Sequence, residues 1–379
     1  MALSPREFFE QLISRDLSFF AGVPDSLLKE LCAYITASVP ASDHVITVNE
    51  GAAVGLVTGY HLATGKAGVV YMQNSGTGNA INPLLSLADP DVYAVPMLVI
   101  IGWRGEPGVK DEPQHVKQGR VQQKLLASLE YPFEVLDPDP AAVAGQLDRL
   151  VAEMHRTSGP VVLLVRAESF ESYSAPKTTS ELPLGREEAL QIIVERSGPE
   201  DLFASTTGKV SRELFEIREA RGEGHGKDFL TVGSMGHTSM IALGLAARTE
   251  KPVYCIDGDG AALMHLGSLG IIGANPRPNF RHIVMNNGVH DSVGGQPTIG
   301  RAVRFATLAT ELGYTASYLA TTADELLSAL AEVAKRPGPS LIEVRVRPGA
   351  RSDLGRPTTT PRENKAAFMA SVGIDPDTR

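Results

Sequence analysis

Cysteine is almost missing from this chain: of 379 residues only two, Cys32 and Cys255, carry a thiol. They lie in apolar segments of different halves with no metal-ligand spacing, so no disulfide framework is implied and both are expected to be buried structural thiols. Long apolar runs are missing as well. No stretch approaches the roughly 20 consecutive apolar residues that cross a bilayer, and no basic, apolar leader opens the chain, so a soluble, cytoplasmic protein with no membrane partner is expected. Positive charge is in deficit, with 35 Lys and Arg against 44 Asp and Glu and a net charge of −9. That balance argues against a broad nucleic-acid surface, although it leaves room for a local cationic pocket. No G-x-G-x-x-G follows the first strand pattern, which disfavours a nicotinamide-binding domain.

What the chain has is alternation. Helical and strand patterns succeed one another through residues 1–168, pause over a polar segment at 169–185 that holds Pro176 and Pro183, and resume over 186–379. The pause reads as a linker. The stretch from Arg347 onward, rich in Arg, Thr and Pro, is expected to form a C-terminal arm. The two halves echo each other: Gly159-Pro160-Val161-Val162-Leu163 and Gly338-Pro339-Ser340-Leu341-Ile342 each follow an amphipathic helix and begin a closing strand. Strands alternating with helices call for mainly parallel sheets covered on both faces. The fold class expected is therefore α/β, with two related doubly wound domains and no central third domain.

Two polar clusters stand out in the second half. Gly258-Asp259-Gly260 ends the strand pattern Pro252–Asp257 and opens an apolar helical pattern over 261–269, and Asn286-Asn287-Gly288 ends the next strand pattern. Both clusters then fall at the carboxyl ends of parallel strands, where open α/β sheets bind ligands. Mg2+ takes oxygen ligands and couples one or two protein side chains to a phosphate group. Asp259 offers the charge, Asn287 a neutral oxygen, and the Val289 carbonyl completes the protein share. A GDG triplet alone is also compatible with an ordinary strand-to-turn connection.

This pairing, with Asp259 and Asn287 28 positions apart, resembles the cofactor motif of thiamine-diphosphate enzymes. The resemblance implies thiamine diphosphate and Mg2+ as cofactors, with Gly260 and Ala261 beside the diphosphate. It gives Glu50, in Asn49-Glu50-Gly51-Ala52-Ala53, the task of hydrogen-bonding ring nitrogen N1′; alone, Glu50 would be a helix N-terminal residue favoured by the dipole. Asn74, in Asn74-Ser75-Gly76-Thr77-Gly78-Asn79, matches the loop on the aminopyrimidine side. Gly233 is matched to a carbonyl facing the 4′-amino group and Met235 to the apolar prop under the cofactor. Gly236 and His237 precede a helix whose N–H groups can hold an anion, and Thr207 and Gly208 match a diphosphate contact. In such enzymes one subunit's pyrimidine-side domain meets another's diphosphate-side domain, which implies a homodimer or higher homo-oligomer with shared sites.

Four further segments resemble the phosphonopyruvate decarboxylases: Ala21–Ser26, Gly102–Gly108, Asp111–Gly119 and His290–Thr298. The implied reaction converts the 2-oxo acid phosphonopyruvate to phosphonoacetaldehyde and CO2 in phosphonate biosynthesis. Sulfopyruvate decarboxylation is the alternative, and an acetolactate-synthase-like carboligase a second. Asp25, His115, His290 and Asp291 are the candidates for proton relay and orientation, since His titrates near neutrality. Ser26, His115 and Lys117 are the candidate substrate contacts, and Arg104, Lys117, Arg120, Lys209 and Arg212 are the cations available for a phosphonate.

Overall fold

The computed structural model describes residues 2–173 and 180–376. They fall into two compact units, Met1–Lys177 and Thr178–Arg379. Part of the expected linker, including Pro176, lies outside the described residues.

Each unit is built on one six-stranded, wholly parallel sheet. The first holds β1 (Phe20–Gly22), β2 (His44–Ile46), β3 (Gly68–Gln73), β4 (Met97–Gly102), β5 (Phe133–Val135) and β6 (Pro160–Val165), in the spatial order β2-β1-β3-β4-β6-β5. The second holds β7 (Leu202–Ser205), β8 (Asp228–Leu230), β9 (Val253–Gly258), β10 (Phe280–Asn286), β11 (Ala316–Ala320) and β12 (Ser340–Arg345), in the order β11-β12-β10-β9-β7-β8. Read from the opposite edge, the second order is the first with six added to every number. The echo between the halves is therefore one of topology, and the described residues form no third sheet.

Parallel strands joined by helical crossovers are covered on both faces and need apolar side chains throughout. The sequence supplies them: every residue of β4, Met-Leu-Val-Ile-Ile-Gly, and of β6, Pro-Val-Val-Leu-Leu-Val, is buried. In the first unit the two faces carry separate cores, one around Phe8, Phe20 and Leu163, the other around Val57, Val99 and Leu164. Cys32 and Cys255 are free, buried thiols, and burial pushes both above the usual thiol range.

In each sheet the chain reverses its direction of travel between the first and third strands, β1/β3 and β7/β9. At that switch the loops diverge and leave a crevice outside the carboxyl ends. The register of β9 against β10, with Ile256 facing Ile283 and Gly258 facing Met285, carries the two asparagines alongside Asp259.

Two local expectations need correction. The helix expected over 261–269 is broken into Asp259–Met264 and Gly267–Ala274, because His265 leaves helical geometry at φ −132°, ψ 53°. The expected C-terminal arm instead holds a helix, Pro361–Ser371, started by a capping box of Thr360 and Glu363. Buried Asn364 fixes it to edge strand β8, accepting from Leu230 N at 3.0 Å and donating to the Asp228 carbonyl at 2.8 Å. The amide satisfies groups that a bare sheet edge would leave unpaired.

Replacing Asn364 by Ala would strand two buried backbone groups, each costing about 1–3 kcal/mol. Asn364→Ala is therefore expected to lower unfolding free energy by roughly 3 kcal/mol, read as a lower urea midpoint. An unchanged midpoint would deny the helix its role as an edge cover.

Candidate active site

In the second unit the carboxyl ends of β7, β9 and β10 gather most of the expected diphosphate-side residues. Asp259 is the first residue of its helix and almost wholly buried. Thr298 donates to its Oδ2, backbone N–H groups including that of Asn287 also point at the carboxylate, and it makes no ion pair among the described residues. Burial is the largest influence and pushes its pKa up to about 6, against the hydrogen bonds, which lower it. The carboxylate is closely approached: a Cβ on Gly300 would lie 2.2 Å from Asp259 Oδ2, so only glycine fits there. Asn287 is buried, its Oδ1 accepting from Val289 N at 3.1 Å and its Nδ2 donating to Asp291 Oδ2 at 2.8 Å.

His290 and Met235 close in on the same turn. A Cβ on Gly260 would sit 3.1 Å from His290 Cε1 and 3.3 Å from Met235 Cε. Burial holds the His290 imidazole down at about 4. Gly233 lies in the same loop as Met235, after β8, and His237 caps the helix Thr238–Ala246 with its ring against that of His265, 4.5 Å between centroids. The proximity of His265 carried no signal in sequence. Thr207 donates to the Val232 carbonyl at 2.9 Å, and Gly208, at φ 97°, starts the helix Lys209–Arg221. Ala261 follows in the first turn after Asp259.

Asp291, expected among the proton carriers, is committed elsewhere. Its Oδ2 accepts from Arg186 at 2.6 Å as well as from Asn287, and the Gly349 N–H points at both oxygens at 3.1 Å. With its acceptor positions engaged by a guanidinium, an amide and a backbone N–H, it anchors the loop.

In the first unit two buried carboxyls occupy strand ends. Glu50 begins the helix Glu50–Thr64, whose N-cap Asn49 accepts from Ala52 N at 2.9 Å. Asn79 donates to Glu50 Oε2 at 2.7 Å, and a Cβ on Gly76 would come within 2.1 Å of Oε1. Burial raises the Glu50 pKa above the ordinary range, against the Asn79 bond. Asp25, fully buried after β1, accepts from Gln73 at 2.6 Å and from Leu27 N at 3.0 Å across the switch between β1 and β3; burial raises its pKa too.

Next to it, Asn74 brackets Arg104 with both ends of its amide, Nδ2 to the Arg104 carbonyl at 2.8 Å and Oδ1 from the Arg104 N–H at 3.2 Å. The Arg104 guanidinium is spent on Asp111 and, through Nη1, on the Ser26 hydroxyl at 2.7 Å. His115 is buried with its Nδ1 unpartnered, and burial followed by the Arg104 charge lowers its pKa to about 4. Lys117 is not brought to it. Residues two apart on a helix face different directions, and in the helix Pro113–Ser128 His115 is buried while Lys117 and Arg120 are exposed. Arg104 instead shares a pocket with Lys110, Asp111 and Trp103. Lys209 and Arg212, on the first turn of their helix, are half-buried. Gln73, Asn79, Thr298, Arg186 and Glu213 were not foreseen as site residues. Asn79 and Thr298 sit in segments that the sequence already marked, but the other three carry no local signature.

The donor set in the second unit fits a cation bound to diphosphate: oxygens from Asp259, Asn287 and the Val289 carbonyl suit Mg2+. Beside Gly258, the buried Thr206 hydroxyl has no partner, a group left for a ligand to satisfy.

Two family models match the chain: the N-terminal TPP binding domain of thiamine pyrophosphate enzymes over residues 6–126 and the C-terminal TPP binding domain over residues 207–344. The chain is 35% identical over 382 residues to a phosphonopyruvate decarboxylase of Streptomyces hygroscopicus, covering 97% of this chain and 93% of that protein. It is 36% identical over 384 residues to the phosphonopyruvate decarboxylase of Streptomyces viridochromogenes, with 94% and 91% covered. A sulfopyruvate decarboxylase of Methanosarcina acetivorans is 26% identical over 311 residues, 76% of each chain.

The low pKa of His115 makes stability depend on pH. An unfolded His protonates near 6.5 and the folded one near 4, so the unfolded state binds more protons in that window. Stability is full above pH 6.5 and lost on acidification toward 4, by up to about 1.4 kcal/mol per pH unit for one proton. His115→Gln is expected to flatten the fall of the urea midpoint between pH 6.5 and 4.5; an identical slope would show that the imidazole is not held neutral.

Proposed function

The chain belongs to the phosphonopyruvate decarboxylase family of thiamine pyrophosphate enzymes, and from that premise we propose that it releases CO2 from phosphonopyruvate to give phosphonoacetaldehyde, as a carboxy-lyase of phosphonate biosynthesis, with thiamine diphosphate and Mg2+. The observation that carries this reading is the near full-length likeness to two such decarboxylases, joined to a strand-end site whose donors suit a metal diphosphate. When bound, the cofactor supplies an electron sink for the pair left behind by departing CO2.

This chain's residues do the rest. Asp259, Asn287 and the Val289 carbonyl hold the cation, and the backbone at Thr207–Gly208 and Gly236–His237 faces the phosphates. Glu50, whose neutral form burial favours, holds a proton at N1′ of the ring, and Asn79 fixes its other oxygen. Around the substrate, burial drives two titratable groups apart, Asp25 upward and His115 downward. Opposed shifts of this kind separate an acid from a base: Asp25 donates and the neutral His115 accepts. His290, also kept neutral, lies against Gly260 and is placed to relay a proton there. Ser26, held by Arg104, orients the polar head of the substrate. Arg104 itself is neutralised by Asp111 and acts through Ser26.

Parallel measurement of CO2 release from phosphonopyruvate, sulfopyruvate and pyruvate with added thiamine diphosphate and Mg2+ tests the substrate. The expected order is phosphonopyruvate, then sulfopyruvate, with pyruvate lower in kcat/KM on the order of 100-fold, because an absent anionic head leaves buried polar groups unpaired. Equal kcat/KM for pyruvate would sink the assignment.

Glu50 lies in one unit and the metal donors in the other, which together with the family resemblance supports a homo-oligomer whose sites combine groups from two subunits. Glu50→Gln and Asp259→Ala chains, each inactive, are expected to regain activity when refolded together. Mixtures that stay inactive although both variants are folded and associated would reject shared sites.

A further inference from the structure

The amide of Asn287 ends a chain of charged contacts that runs into the core of the second unit. Arg186, the first residue of the helix Arg186–Arg196, makes a two-pronged pair with Glu213, Nε at 2.8 Å and Nη2 at 2.7 Å. Their side chains are 4% and 1% exposed. The remaining Arg186 nitrogen reaches Asp291 Oδ2 at 2.6 Å, and the same oxygen accepts from Asn287 Nδ2 at 2.8 Å. Gly349 closes the group, its carbonyl 3.3 Å from Arg186 Nη2 and its N–H on Asp291. Four chain segments far apart in sequence thus meet behind one asparagine.

We propose that Arg186, Glu213 and Asp291 form a positioning clamp that fixes the orientation of the Asn287 amide and so sets the affinity of the site for its divalent cation. This rests on the reading of Asn287 as a metal ligand. An amide has one end that accepts and one that donates, and only the oxygen can face a cation. The Asp291 oxygen that meets Asn287 also takes an Arg186 N–H at 2.6 Å, so what it presents to the amide is an acceptor. Asp291 therefore admits only the NH2 end of Asn287, and Oδ1 is turned to the other side, where the Val289 N–H meets it at 3.1 Å. A flipped amide would set Oδ1 against the Asp291 carboxylate and NH2 against the Val289 N–H and the cation. The clamp removes that alternative before any metal arrives.

Fold stability alone is a poor account of the arrangement. A buried arginine between two carboxylates is seldom better for stability than apolar residues of the same volume, because desolvation offsets the attraction. What an apolar replacement could not do is discriminate the two ends of an amide. Groups that orient a metal's ligands typically change affinity by about 10–100-fold when removed.

The test uses the full chain and reads Mg2+ binding by calorimetry with thiamine diphosphate present, alongside kcat as a function of Mg2+. Asp291→Asn keeps the shape but offers Asn287 a side chain that can both donate and accept. Its Mg2+ dissociation constant is expected to rise about 10–100-fold, with kcat recovering as Mg2+ is raised. Wild-type Mg2+ affinity in this variant overturns the clamp; so does a lower kcat at saturating Mg2+ with affinity intact, which would return Asp291 to the proton carriers. Should this variant not fold, as judged by its metal-free melting temperature, Glu213→Gln replaces it. It touches Asn287 only through Arg186 and is expected to weaken Mg2+ several-fold, and unchanged affinity there overturns the inference equally. Asn287→Ala separates the two levels. If it binds Mg2+ normally the ligand assignment itself fails, and if it binds weakly while Asp291→Asn does not, only the clamp fails.

Discussion

Burying carboxyl groups at the ends of parallel strands, with hydrogen bonds but no ion pair among the described residues, is the constraint from which the chemistry of this chain follows. Glu50, Asp25 and Asp259 are each at most 5% exposed. In all three, burial is the first cause of a raised pKa. An isolated buried carboxylate is costly, so such a group either keeps its proton or waits for a positive partner. The surroundings indicate which course each one takes. Asn79 and Gln73 are neutral donors that hold Glu50 and Asp25 in place without supplying a charge. Asp259 faces the Thr298 hydroxyl and a set of backbone N–H groups, which favour its charged form against burial.

Where cations are available, the chain spends them. Arg104 is matched by Asp111 and Arg186 by Glu213 and Asp291, so neither is free to meet a substrate anion directly. Arg104 is one of the cations that the sequence offers for a phosphonate, and Arg186 is not. In the fold they act as struts: Arg104 presents the Ser26 hydroxyl and Arg186 presents Asp291. Net charge, as expected from its sign, says little about either place.

Much of this was legible before any coordinates. Alternating patterns gave two parallel α/β units because buried strands must be apolar along their whole length, and β4 and β6 are. Asp259 and Asn287 could be paired because consecutive strands of such a unit usually lie side by side and end at one edge. For Glu50 its place at a strand-to-helix junction gives only a helix start, which the structure has; any further role comes from the family resemblance. The failures share a cause. The hold on Asp291 is invisible in sequence because its partner Arg186 lies 105 residues away, and nothing periodic connects them. Lys117 was grouped with His115 by closeness in sequence, although helical geometry sends them apart. The Pro361–Ser371 helix was hidden in a stretch whose composition suggested an arm; its single buried anchor, Asn364, is a residue type that sequence alone assigns to turns and caps.

Since both sheets wind in the same order, position at this chain's ligand-facing edges is counted in strands. The end of the first strand carries Asp25 in one unit and the Thr206–Gly208 turn in the other. The second carries Glu50 and the Met235 loop, the third Asn74 and Asp259, and the fourth Arg104 and Asn287. Aligned this way, the halves are two settings of one frame. At each address a polar or charged group of the first unit corresponds in strand order to a loop of the second. A comparison of the halves residue by residue, at any single offset, scatters these pairs, because the crossovers differ in length. Indexing by strand end restores them, and at the fourth-strand address both residues are held twice, Arg104 through its backbone by Asn74 and through its side chain by Asp111, Asn287 through its carbonyl by Arg301 and through its amide by Asp291.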